Sequence, residues 1–219
     1  MTTRRETNFA LLAGALFAAA PGAMLAQNAA ALDLPPPRAG GGKPLLEALK
    51  ARRSTREFSE RALPPQVLSD LLWAAFGINR PQSADRTAPS WRHALEIDIY
   101  VATADGVSCF APQGHSLVPV ARVDIRAKTG KQNFVAVAPV TLIYVAEGSR
   151  MGDVSRDEQR LWAFTDTGFI GQNVYLFCAS EGLATVFRGS IDREELSTAL
   201  KLKPSQFVTC VQTVGYPRA

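Results

Sequence analysis

The chain has 219 residues, 47% hydrophobic and 20% charged, a balance that excludes a fibrous repeat or a largely disordered protein and suits one sizeable α/β core. Lys and Arg number 24 against 20 Asp and Glu, for a net charge of +4, but the basic residues form no long run, so nucleic acid and anionic membrane are not indicated as partners. Three cysteines, Cys109, Cys178 and Cys210, are too widely spaced for a CxxC site; neither a metal centre nor a disulfide is expected.

The first residues differ in kind from the rest. Arg4 and Arg5 precede an uncharged stretch from Asn8 to Ala20, and Pro21 to Ala26 ends in small residues. Residues 1–28 therefore read as an export signal that looks like the twin-arginine type, cleaved near Ala26, with the general secretory route and an uncleaved signal as alternatives; the expectation is a periplasmic or otherwise exported protein. The apolar stretch is short for a membrane span. Residues 29–43, with Leu34-Pro-Pro-Pro-Arg-Ala-Gly-Gly-Gly42, mix stiff and floppy elements and read as a flexible linker, so the folded domain is expected over 44–219.

A first helix is predicted from Pro44, with Leu45, Leu46 and Leu49 as its apolar side. A second starts at Pro64-Pro65, presents Val67, Leu68, Leu71, Leu72 and Ala75, and stops at Gly77. Ile97, Ile99 and Val101 alternate with Asp98 and Tyr100 as a strand does, and Asp105-Gly106 offers a tight turn into Val107–Phe110. Ser116–Val123 is another strand, and Val140–Val145 is apolar enough to lie centrally, buried on both faces. A long helix is predicted from about Asp157 to Glu181, ending at Gly182, with Ile170, Val174, Phe177 and Cys178 at core spacing. A short helix is entered by the capping box Asp192-Arg-Glu-Glu195, and Phe207–Gly215 closes the sheet. The order is α+β, not a regular βαβ alternation.

No Gly-x-Gly-x-x-Gly, Walker or Gly-x-Ser-x-Gly sequence occurs, and the two histidines, His93 and His115, support neither a metal cluster nor a Ser-His-Asp triad. His115 lies in a Pro/Gly-containing turn and is expected to be solvated. The densest chemistry is Arg52-Arg53-Ser54-Thr55-Arg56, just past the first helix. One reading is a solvated basic surface that suits a helix C-terminus. The other is a set of guanidinium and hydroxyl donors for a phosphate and ribityl chain, which points to flavin mononucleotide (FMN).

Arg52-Arg-Ser-Thr-Arg-Glu-Phe58, Ala88-Pro-Ser90, Gly171-Gln-Asn-Val174, Glu181-Gly-Leu-Ala-Thr185, Arg188-Gly189 and Gly215-Tyr-Pro217 follow one another in an order that resembles the nitroreductase-like flavoproteins, on the branch holding the SagB-type dehydrogenase domain. The resemblance implies an α/β sandwich with a central, mainly antiparallel sheet flanked by helices, an intertwined homodimer, and FMN at the subunit interface. Arg52, Arg53, Ser54 and Arg56 would hold the phosphate, ribityl chain and pyrimidine edge. Pro89, Ser90, Trp91 and His93 would reach the flavin from the other subunit, and Val186, Phe187, Arg188 and Gly189 would lie against its ring, with backbone donors near N5. His93 and Leu95 stand where the family typically has Asn and Gln, and Arg218 would stand in for a basic tail present in many relatives.

Two-electron, ping-pong chemistry at flavin N5 then needs no catalytic side chain, and Arg56 is the candidate to offset negative charge on the reduced ring. The expected substrate is a small organic molecule of nitroaromatic or quinone type. A SagB-type dehydrogenase acting on a peptide-derived or other small substrate, and a non-catalytic flavin-binding or assembly protein, are the alternatives. No residue pattern identifies a nicotinamide site, so the electron partner is left open between NAD(P)H, a protein and a quinone.

Overall fold

The computed structural model describes residues 31–38 and 40–218, so the predicted export signal lies outside the described residues. The chain builds β1 (Leu32–Asp33), α1 (Leu45–Ala51), α2 (Pro65–Phe76), a small hairpin of β2 (Ile78–Arg80) and β3 (Asp85–Arg86), then β4 (Ile97–Thr103), β5 (Gly106–Ala111), β6 (Ser116–Ala121) and β7 (Val140–Glu147). There follow α3 (Arg156–Glu181), β8 (Ala184–Arg188), α4 (Arg193–Ala199) and β9 (Gln206–Gly215). Seven strands form one antiparallel sheet in the order β1-β6-β5-β4-β7-β9-β8. This is the α+β sandwich that the sequence predicts.

Strand alternation divides the core in two. Ile97, Ile99 and Val101 of β4 and Leu142 and Tyr144 of β7 face α2 and α3, where they meet Leu71, Leu72, Ile170, Val174 and Cys178. Tyr100, Ala102, Ile143 and Val145 point the other way, against Leu196 and Leu200 at α4. All eight residues of β7 are buried, as its apolar run requires of a strand covered on both faces. Helix α3 is fixed at both ends: Ser155 Oγ accepts the Glu158 amide, and Gly182 adopts a left-handed φ of 70° that carries the chain off the helix toward β8.

Two expectations are corrected. The 29–43 linker is docked over 32–38: β1 pairs with β6, Leu34 is buried, and Arg38 holds the buried Asp70 through its amide at 2.8 Å and Nε at 2.7 Å. Burial by itself would raise the Asp70 carboxyl, but Arg38 and the Gln66 amide outweigh it and hold the group below its ordinary range. A polyproline stretch has little conformational freedom to lose, which makes such docking inexpensive. His115 is half-buried, bonded through Nε2 to Ser69 Oγ at 2.7 Å and packed edge-on against Phe110. Helix α1 buries only Ala48, and its apolar side of Leu45, Leu46 and Leu49 is exposed.

Candidate functional site

Helix α1 ends where the Arg52 amide donates to the Ala48 carbonyl, and the next residues run along the outer edge of β8, the last strand of the sheet. The Thr55 amide donates to the Thr185 carbonyl at 2.9 Å. Tyr175, on α3, anchors both sides: its phenol oxygen accepts the Phe187 amide at 2.9 Å and shares a 2.7 Å hydrogen bond with Ser54 Oγ. The same ring carries the Arg52 guanidinium 5.3 Å above its centre, a cation–π contact. The C-terminal segment closes the arrangement, with Phe58 bridging Pro217 and the Arg218 amide donating to the Glu57 carbonyl.

A cleft of about 380 Å³ lies here, lined by Lys43, Arg53, Thr55, Tyr175, Thr185 and Pro217 among others. Among the described residues none of Arg52, Arg53, Arg56 and Arg218 makes an ion pair, whereas Arg38, Arg80, Arg126 and Arg150 each do. Arg53 lines the cleft and Arg52 rests on the Tyr175 ring beside it, and guanidinia of this kind suit an anion. On β8, Thr185 and Phe187 direct their backbone groups outward at the edge, and just past the strand the Gly189 carbonyl accepts from the Ile191 amide and Arg193 Nη2. Gly171 on α3 lets the Phe187 ring sit close, since a Cβ there would come within 2.6 Å of it.

Val186 and Arg188 turn to the opposite face. Val186 packs with Phe58, Ala138 and Ala184, and Arg188, 7% exposed, donates through Nη1 to the Thr129 carbonyl at 2.6 Å and through Nη2 to Thr213 Oγ1 at 2.9 Å. Its Nε has no partner among the described residues, and burial lowers its pKa to about 10. The Arg188 guanidinium thus leaves the Arg52–Arg56 group, and only its backbone stays on the edge strand.

The second predicted group is a separate loop. Ser90 Oγ accepts the Leu95 amide at 2.8 Å and donates to Glu96 Oε2 at 3.0 Å, while the Trp91 amide donates to Asp166 Oδ2 at 2.6 Å. Arg92, His93 and Leu95 all have left-handed φ values, of 46°, 60° and 50°, which non-glycine residues adopt only where surrounding contacts impose them. Trp91 stacks on Trp162, Pro89 and His93 are exposed, and His93 Nδ1 meets Asp85 at 3.3 Å. Glu96 is fully buried, its Oε1 has no partner among the described residues, and burial with the adjacent Asp166 charge pushes its carboxyl up to about 7.

Within one chain no hydrogen bond, ion pair or ring contact among the described residues joins this loop to the Arg52–Arg56 group. Sequence reasoning missed Tyr175, Glu96 and Asp166; an acid inside the apolar pattern of α3 and another at the head of β4 were the available signals.

The nitroreductase family profile matches residues 49–216. A protein of Methanocaldococcus jannaschii assigned as a nitroreductase is 32% identical over 169 residues, covering 73% of this chain and 85% of that protein. A crystal structure assigned as a nitroreductase from Ralstonia eutropha is 36% identical, with a TM-score of 0.83, covering 89% of this chain and 93% of that one. The NADPH:FMN oxidoreductase of Vibrio harveyi, solved with NAD+, shares the fold at 19% identity and a TM-score of 0.60, covering 80% of this chain and 69% of that one. On the extent of the profile match and the identity to these relatives, the chain belongs to the nitroreductase family.

Proposed function

We propose that this nitroreductase-family oxidoreductase is FMN-dependent and transfers two electrons, in ping-pong fashion, to or from a small nitroaromatic or quinone-type molecule. The observation that carries the reading is the segment from Arg52 to Thr55, held on Tyr175 and the β8 edge, whose arginines make no ion pair among the described residues. The donor set fits the cofactor: guanidinia and hydroxyls suit a phosphate and ribityl chain. Bound FMN supplies hydride transfer at its N5. Arg52, Arg53, Ser54 and Arg218 take the phosphate and ribityl side, and Arg56 places a cation at the pyrimidine edge. Val186, Phe187, Arg188 and Gly189 contribute the strand edge, and Tyr175 holds Ser54 and that edge in register.

The apolar surface of α1 and α3 supports a homodimer. Leu46 is 78% and Leu161 is 61% exposed, and Leu45, Leu49 and Phe169 add to the same kind of surface. A second copy covers it and brings Pro89, Ser90, Trp91 and His93 to the flavin of its neighbour. Export through a twin-arginine signal is part of the proposal, tested by cell fractionation with and without the Arg4-Arg5 pair. Outside the cytoplasm NAD(P)H is scarce, so a protein or quinone partner competes with it as electron donor. The SagB-type dehydrogenase reading rests on the motif order alone.

Flavin absorbance of the purified protein, bleached by reductant, tests the cofactor. Arg52→Ala and Arg56→Ala should each weaken FMN retention by about 1.5–3 kcal/mol, the scale of a charge-assisted hydrogen bond. A colourless protein that ignores added FMN, or undiminished affinity in both variants, rejects the reading. Stopped-flow reduction by NADH, NADPH and a quinol then ranks the donors.

A further inference from the structure

A separate cavity of about 490 Å³ opens between the end of α2, the stretch from Ala94 to Ile99, and the turn joining β5 to β6. Arg86 lines it and is 7% exposed. Its hydrogen bonding is incomplete: Nη1 donates to the Phe76 carbonyl at a long 3.4 Å, Nε has no partner, and Nη2 makes no hydrogen bond among the described residues. The guanidinium rests 5.4 Å from the centre of the Phe76 ring. Among the described residues the one acid lining the same cavity, Asp98, is committed to Arg150 through two bonds of 2.9 and 3.0 Å. Two guanidinia and one carboxylate leave the cavity with one surplus positive charge.

The plain structural reading is that Arg86 ties off the C-terminus of α2, where the helix dipole favours a cation. One long contact satisfies little of that role. A buried guanidinium ordinarily has a carboxylate or a full set of acceptors, because burying it otherwise is costly. We infer that the cavity binds a small organic monoanion, an aromatic or branched carboxylate, with its charged end on Arg86 and its body against Phe76, Leu95 and Phe110. The single surplus charge selects a monoanion, and the Asp98 carboxylate repels a second negative charge. The volume suits a ligand of that size. The cavity has no residue in common with the cleft beside Arg53, and it adjoins the 90–95 loop only through Ala94 and Leu95.

Calorimetric titration of the purified full chain with benzoate and with its neutral isostere benzamide tests this, with flavin absorbance followed in parallel. The expected result is one benzoate per chain, benzamide and phenyl phosphate about tenfold or more weaker, and no change in the flavin spectrum. Arg86→Met should weaken benzoate by about tenfold or more, and Asp98→Asn, which leaves Arg86 and the α2 terminus intact, should tighten it several-fold and admit phenyl phosphate. Equal binding of benzoate and benzamide, no benzoate binding, or binding that shifts the flavin spectrum and survives Arg86→Met overturns the assignment. Protein that purifies without flavin would count against the FMN reading yet leave this titration fully interpretable.

Discussion

A single phenol oxygen, that of Tyr175, connects Ser54 to the Phe187 amide, while its ring supports Arg52. Tyr175→Phe keeps the ring and strips both hydrogen bonds; the expected outcome is a loss of about 1–3 kcal/mol in urea unfolding together with weaker flavin retention. Glu96 gives a pH signature. Its carboxyl, ordinarily near 4.5, is pushed up to about 7, first by burial and then by the Asp166 charge. Between those values the folded chain binds more protons than the unfolded one, so its stability should fall as pH rises from 4.5 to 7 and level off above. Urea midpoints at pH 5 and pH 8 check this, and Glu96→Gln should flatten the difference. The arginines announce themselves in the sequence because charge and spacing are local properties. Tyr175, Glu96 and Asp166 do not, because their importance comes from residues brought beside them by the fold: Ser54, 121 positions away, and Trp91, 75 positions away.

At the scale of elements, strands β4 to β7, the closing β9 and the long α3 were legible, since period-two alternation, the Asp105-Gly106 turn and the Gly182 stop are written in consecutive residues. Strand β8 was not, because its five residues follow α3 directly and exist as a strand only through pairing with β9. β1 is two residues long and depends likewise on β6. The exposure of the α1 leucines escaped pattern reading because an apolar face announces burial without saying whether its own chain supplies the cover. The seam between α3 and β8 depends on Gly171, where an added Cβ would meet the Phe187 ring at 2.6 Å. Gly171→Ala should therefore destabilise the protein by about 1–3 kcal/mol despite alanine's better helix propensity, as thermal unfolding of the variant would record.

For the molecule as a whole, the exposed leucines of α1 and the exposed Leu161 and Phe169 of α3 are the apolar side chains on which the proposed association should depend. Leu46→Asp combined with Leu161→Asp is expected to leave the chain folded, shift sedimentation from dimer to monomer, and reduce flavin retention because each site then lacks the neighbouring loop. A wild-type protein that sediments as a monomer at micromolar concentration would remove the dimer from the proposal. The flanks of the sheet bear on the same question. Residues 52–58 cover the rim of β8 through the Thr55 amide, and β1 shields the start of β6. Open-ended stacking of sheets, the route by which bare strands template fibrils, is thereby disfavoured at both margins. In the proposed dimer the copies meet through their helical sides, where growth stops at two.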